Sequence, residues 1–308
     1  MRDVLSIVGA TLNDWYEDRA PRLGAALAFY TVFALLPSLI LVIALGGMVL
    51  GRDAAQAEIL DQVRYLAGEA GARAIEATLI AARTESGAGV TAVVVGALIL
   101  GLWGVFGELQ DALNTIWGVA PRPGRRLAAV VRERFLSFAM VVGIGFLLLV
   151  SLVVSAWLAA LGRYFTTLLP MSAPALQAVN AVLSFAVITV LFALSFKLLP
   201  DVRVAWRDVW LGAALTSLLF GVGKSAIGVY LGTTAIGSLW GGAGSLVVIL
   251  VWVYYSSQIF YLGAEFTKVW TRCRGTGGAP APEAVPVTAE ARAEQGMDRE
   301  RARHGRVA

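Results

Sequence analysis

Cysteine and histidine are almost missing from this chain: 308 residues contain one of each, Cys273 and His304. A lone cysteine excludes an internal disulfide and a cysteine metal cluster. A lone histidine in a polar tail leaves no serine–histidine or cysteine–histidine pair for nucleophilic catalysis. Charge is scarce as well, at 15% of residues against about 25% in soluble domains. A phosphate-binding loop is also lacking. The nearest string, GVGKS at 221–225, has no first glycine at the distance a GxxxxGK[ST] loop requires, and it lies inside an apolar stretch. That speaks against an ATP-driven pump built from this chain alone.

Apolar sequence fills the space left by charge. The chain is 58% hydrophobic with a mean hydropathy of +0.73, which places it among membrane proteins. Residues 4–16 put Val4, Leu5, Val8, Leu12 and Trp15 on one helical face, as an amphipathic helix on a membrane surface does. Asp3, Asp14, Glu17 and Asp18 interrupt Met1–Arg22, so the first apolar span is read as a permanent helix rather than a cleaved signal.

An all-α, polytopic architecture with about six spans follows, at 24–50, 90–107, 136–161, 178–199, 209–231 and 244–268. They form one domain, 24–270, preceded by the amphipathic segment 1–23. Pro37 is expected to kink the first span. The insertion 52–88 balances four arginines against six acidic residues. Its apolar spacing predicts two short amphipathic helices, broken around Gly68–Gly71, on the outer rim. The glycine-rich stretch 232–244 is expected to be an outer re-entrant or flexible turn. Residues 271–308, rich in Gly, Pro, Ala and mixed charge, are expected to be a disordered cytoplasmic tail. With the N-terminus inside, the inner segments hold 19 of the 25 basic residues. The positive-inside rule then places both termini in the cytoplasm, and it explains the arginines of 122–134 without a nucleic-acid groove.

The stretch 244–268, GSLVVILVWVYYSSQIFYLGAEFTK, organises the functional reading. Tyr254, Gln258, Tyr261 and Glu265 follow at steps of four, three and four and so share a helix face. Val251, Val253 and Ile259 are expected opposite, facing lipid. Such a stripe either packs against neighbouring helices or lines a path. Glu108, Asp111 and Asn114, which close the second span, lie at the depth of Glu265. They form either an inner-leaflet polar network or a gate. Lys224 lies about 22 Å from the inner boundary at 1.5 Å per residue. A charge there costs about 3 kcal/mol, so it either snorkels outward, pairs with an acid of 52–88, or contacts a substrate. The depths of Lys224 and Glu265 forbid a direct pair. These eight residues are the candidate polar contacts; no metal ligand set and no cofactor motif accompanies them.

Five segments carry a family resemblance: ALAFYTVFALLP at 26–37, LQDALNTIW at 109–117, LLP–D at 198–201, GKSAIGVYLG at 223–232 and GSLVVILVWVYYSSQIFYLGAEFTKV at 244–269. Together, and in this order over roughly 10–270, they resemble the YihY/BrkB family of bacterial inner-membrane proteins. The closing segment is the most specific. The resemblance implies a six-helix, multi-pass protein of the bacterial inner membrane and no particular reaction. The family once carried the label ribonuclease BN beside a virulence and serum-resistance label. The residues argue against a nuclease: metal-dependent hydrolysis needs clustered His, Asp or Glu, and a metal-free one needs an acid and a base in a basic cleft. The expectation is a non-enzymatic transporter or permease of unknown small solute or lipid. The alternative is a non-transport envelope scaffold or lipid-handling protein. Its partner is the bilayer rather than nucleic acid. Six spans are fewer than many secondary carriers use, which leaves room for a homo-oligomer.

Overall fold

The computed structural model describes residues 2–82, 88–122, 173–233, 244–294 and 297. Eight helices are seen among them: α1 (Arg2–Glu17), α2 (Ala20–Leu50), α3 (Arg52–Ala82), α4 (Ala88–Trp117), α5 (Ala173–Leu198), α6 (Trp206–Thr233), α7 (Gly244–Cys273) and α8 (Ala289–Glu294). Four short strands join them: β1 (Val119–Pro121), β2 (Val202–Arg203), β3 (Ala279–Pro280) and β4 (Ala284–Pro286). The third expected span, 136–161, the arginines of 123–134 and most of the glycine-rich turn lie outside the described residues. Helices α4 and α5 cover the expected second and fourth spans. By length and composition α6 and α7 can each cross a membrane. A third crossing is formed by α2 if its two halves count as one span; they are bent by 42° between Leu35 and Pro37. The bend follows from the proline ring, which removes a ladder donor and collides with the preceding turn.

The α3 segment breaks at Gly68, whose φ of 73° is left-handed. Its two halves pack against α2, α6 and α7. Leu60, Ala74, Ile75 and Leu79 join Ile43, Ile227, Leu231, Val248 and Ile249 in a core cluster at that end of the bundle. A second cluster occupies the other end, the basal end, where Leu27, Leu113, Ile116, Phe196, Val209, Tyr261 and Ala264 meet. In the same cluster, Phe192, Phe196 and Phe260 form a run of ring contacts 5.0–6.3 Å apart, and Phe260 meets Tyr261 edge-on at 5.7 Å.

Helix α7 is the axis of this arrangement, in contact with α1, α2, α3, α4 and α6. Its seam with α6 is a close fit. A Cβ on Gly212 would lie 1.8 Å from Thr267 Oγ1, and a Cβ on Gly263 would lie 1.8 Å from Thr216 Oγ1. Each threonine hydroxyl donates to the carbonyl of the glycine four residues earlier on its own helix, Thr216 to Gly212 and Thr267 to Gly263, both at 2.7 Å. Glycine opposes threonine twice, in opposite order, so the helices run antiparallel and their backbones come close. Elsewhere, Gly101 of α4 sits on the backbone of Ala34 in α2.

Helix α1 lies against α7 through one face and exposes Leu5, Val8, Leu12 and Tyr16 on the other. Of the apolar stripe read from sequence, Leu5, Val8 and Leu12 thus lie on an outer surface, whereas Trp15 packs against the basal core. The C-terminal segment differs from expectation. Beyond α7 the chain turns at Gly275 and Gly277, both with positive φ, and folds back on the bundle. There β3 pairs with β2 and β4 pairs with β1, each antiparallel, while Ala284 is buried in the basal core. Residues 279–294 are therefore ordered rather than disordered. Composition missed this because strands of two and three residues carry no alternation, and their partners are loops supplied by distant sequence.

Candidate functional site

The stripe on α7 does not stay on one side of the bundle. Tyr254 is exposed together with Leu246 and Leu250, at steps of four, so the outer face of α7 runs through Tyr254. Val251 and Val253 pack on the outer-end core cluster. Ile259 meets α6, where its Cδ1 would lie 2.5 Å from a Cβ on Gly223. The expected assignment is therefore corrected: Tyr254 leaves the polar stripe, and Ile259 is packed instead of facing lipid. Five helices surround α7, so its apolar side has protein neighbours that the sequence pattern alone did not reveal.

Gln258, Tyr261 and Glu265 point inward. Gln258 and Ser257 abut Gly24 of α2, where a Cβ would lie 2.0 Å from Gln258 Nε2. Tyr261 and Glu265 are fully buried at 0% exposure. The Gln258 amide nitrogen and oxygen, the Tyr261 hydroxyl and Glu265 Oε1 are buried without a hydrogen-bond partner among the described residues. Four orphaned polar atoms on one helix face are unusual, since buried polar groups are nearly always paired. From 258 to 265 the file is about 10 Å long at 1.5 Å per residue.

The file ends at a cluster of charges at the basal end. Lys268 Nζ lies 2.9 Å from Glu265 Oε2, 3.0 Å from Asp18 Oδ2 and 3.2 Å from Asp14 Oδ2. Arg272 reaches Asp14 at 3.4 Å, and Arg292 of α8 reaches Asp18. Three carboxylates thus meet three cations, drawn from α1, the turn after it, α7 and α8. Asp18 is 1% exposed, a burial that a carboxylate tolerates only when paired. A cleft of about 230 Å³ opens beside them, lined by Asp14, Asp18, Ile116, Lys268, Arg272 and Arg292 among others. Asp14, Asp18 and Arg292 were not singled out from sequence. The signal was present as an acidic run in α1 that no apolar span needed.

The other expected contacts lie on α4 and α6. Glu108 is partly buried on α4, close enough to Tyr261 for its charge to act on that hydroxyl, while Asp111 is exposed on the same helix. Asn114 joins α4 to the turn after α5: its Nδ2 donates to Asp201 Oδ2 at 3.0 Å and its Oδ1 accepts from the Asp201 amide at 2.8 Å. Lys197 donates to the Val204 carbonyl and lies over the Trp206 ring. Asn114 is thus tied to Asp201, which Gln110 also reaches at 3.2 Å, rather than to Glu265. Asn114→Ala is expected to cost about 1–3 kcal/mol by leaving the Asp201 amide and Oδ2 without their partner, while Gln110 keeps Oδ1, read as a lowered unfolding temperature. Asn114→Asp should not rescue it, because a carboxylate cannot donate to Asp201. Lys224 is partly buried on α6 and is not in the Glu265 cluster. Among the described residues no group of three metal-ligating side chains is placed to hold a metal ion.

A family model described as Virulence factor BrkB matches residues 11–288. The chain is 30% identical over 262 residues to a UPF0761 membrane protein of Stenotrophomonas maltophilia (strain K279a), covering 82% of this chain and 58% of the relative. It is 36% identical over 165 residues to one of Klebsiella pneumoniae subsp. pneumoniae, covering 52% and 53% respectively. A third, from Pseudomonas aeruginosa (strain LESB58), is 25% identical over 268 residues, covering 83% of this chain and 62% of its own. In each case the match spans less than two thirds of the relative's length. No solved structure matches this chain.

Proposed function

The chain belongs to the Virulence factor BrkB family and is an integral membrane protein; from that premise we propose that it is a permease-like, non-catalytic protein of the bacterial inner membrane. The observation that supports this reading is the file of Gln258, Tyr261 and Glu265, buried polar groups with orphaned atoms that lead from mid-helix to the basal charge cluster. A packed interface would satisfy or exclude such groups, because each orphan costs about 1–3 kcal/mol. Groups that meet water or a passing solute have a reason to stay. The distribution of basic residues supports a cytoplasmic basal end. In this reading Gln258 and the Tyr261 hydroxyl offer uncharged hydrogen bonds to a small polar solute, and Glu265 with Lys268 forms a balanced charged mouth.

Purified protein in lipid vesicles tests the reading. Flux of small ions and polar solutes is expected to exceed that of protein-free vesicles. Tyr261→Phe and Gln258→Leu, which remove the polar atoms and keep the volume, should lower it at least tenfold without lowering the unfolding temperature. Equal flux in loaded and empty vesicles across such a panel sinks the permease. A second reading, a lipid-handling or scaffold protein, is favoured by the exposed apolar face Leu5, Val8, Leu12 and Tyr16 of α1.

A further inference from the structure

The segment after α7 does more than cover a surface. It touches each described loop at the basal end in turn. Arg274 and Thr276 meet Asp208 at the start of α6, at 3.6 and 2.9 Å. The Ala281 amide donates to the Asp201 carbonyl at 2.9 Å, next to the β2–β3 pair. The Arg122 amide donates to Glu283 at 2.9 Å and the Val287 amide to Gly118 at 2.9 Å, on either side of the β1–β4 pair. At its far end Arg292 reaches across to Asp18 in the turn after α1, and its side chain lines the cleft into which Lys268 also faces.

We propose that residues 276–294 form a strap that closes the basal end of the polar file, with Arg292 on Asp18 as its latch. The strap is attached firmly enough to be ordered and lightly enough to open. Its ladders are two and three residues long, and pairs of that length are marginal in water. Its turn is built on Gly275 and Gly277 at positive φ, outside the bundle. The latch is the one side chain of α8 that forms an ion pair with the turn after α1 among the described residues. It also offsets acidic charge: with Arg292 seated, Asp14, Glu17, Asp18 and Glu265 face Lys268, Arg272 and Arg292. With it withdrawn, the excess around the mouth rises from one carboxylate to two, and the cleft opens to water along Ile116 and Lys268. Opening thus changes both the access to the entrance and its charge.

The strap rests on the permease reading only for what it closes, so the two are tested by separate reporters. In a Cys273→Ser background, Ile116→Cys reports the cleft under the strap and Tyr261→Cys reports the file above it. Each is labelled with a membrane-impermeant thiol reagent from the basal side. Arg292→Gln is expected to speed labelling of Ile116→Cys at least fivefold, and Arg292→Lys, which keeps the charge, to leave it near the unsubstituted rate. Hydrogen exchange over 279–287 is the second readout and should quicken in Arg292→Gln alone. Acceleration at both reporters supports strap and path together. Acceleration at Ile116→Cys only supports the strap and contradicts the path. Unchanged labelling and unchanged exchange in a folded Arg292→Gln protein overturn the strap. Quickened exchange without faster labelling overturns its role as a closure.

Discussion

Lys268→Met is expected to lower stability by about 3–5 kcal/mol, the cost of removing one partner from a buried charge cluster. The size follows from the geometry. One ammonium lies within 3.2 Å of Asp14, Asp18 and Glu265, and two of those carboxylates are almost wholly buried. Arg272 and Arg292 still serve Asp14 and Asp18 from the rim, whereas Glu265 has no other cation partner among the described residues and is stranded. The loss should therefore concentrate on Glu265, and the double variant Lys268→Met with Glu265→Gln is expected to be more stable than Lys268→Met alone. Chemical unfolding in detergent micelles reads both. A loss below about 1 kcal/mol, the range of exposed pairs, would mean that the cluster is solvated and holds little together.

Gly263→Val should be comparably damaging for a different reason. The space that Cβ would fill is taken by Thr216 Oγ1 at 1.8 Å, and the β-branched side chain adds two methyl groups beyond it. Overpacking of this kind costs about 1–3 kcal/mol or more, and here it would separate α6 from α7 at the axis of the bundle. The reciprocal pair supplies a control. Thr216→Gly moves the small residue across the seam, so Gly263→Ala combined with Thr216→Gly is expected to recover most of the loss of Gly263→Ala. Thr216→Gly gives no such recovery to Gly212→Ala, which collides with Thr267. Equal rescue of both glycine variants would contradict the pairing.

How much of this was legible in sequence depends on the length of the signal. Long apolar runs marked the helices, Pro37 marked the bend in α2 and Gly68 the break in α3, because each acts through local backbone chemistry. Gln258, Tyr261 and Glu265 were legible as one face for the same reason. Tyr254 was not separable from them: helical spacing places residues on a face but does not say how far along that face the neighbours extend. Asp14 and Asp18 were hidden by distance; Asp18 lies 250 residues from the lysine that both hold. The ordered C-terminal strap was hidden twice over, by a composition that matches disorder and by strands too short for any periodicity.

The measurement that bears most directly on the account is water access to the file. Single cysteines at Gln258 and Tyr261, and at Leu250 on the exposed outer face, are placed in a Cys273→Ser background. A membrane-impermeant thiol reagent is then applied from each side, with exposed Cys273 of the unsubstituted chain as the reference. The account requires labelling at Gln258 and Tyr261 from the basal side, above the Leu250 control. Silence at both positions while Cys273 reacts would mean a dry, packed seam, and the file would then be a feature of helix packing rather than a path.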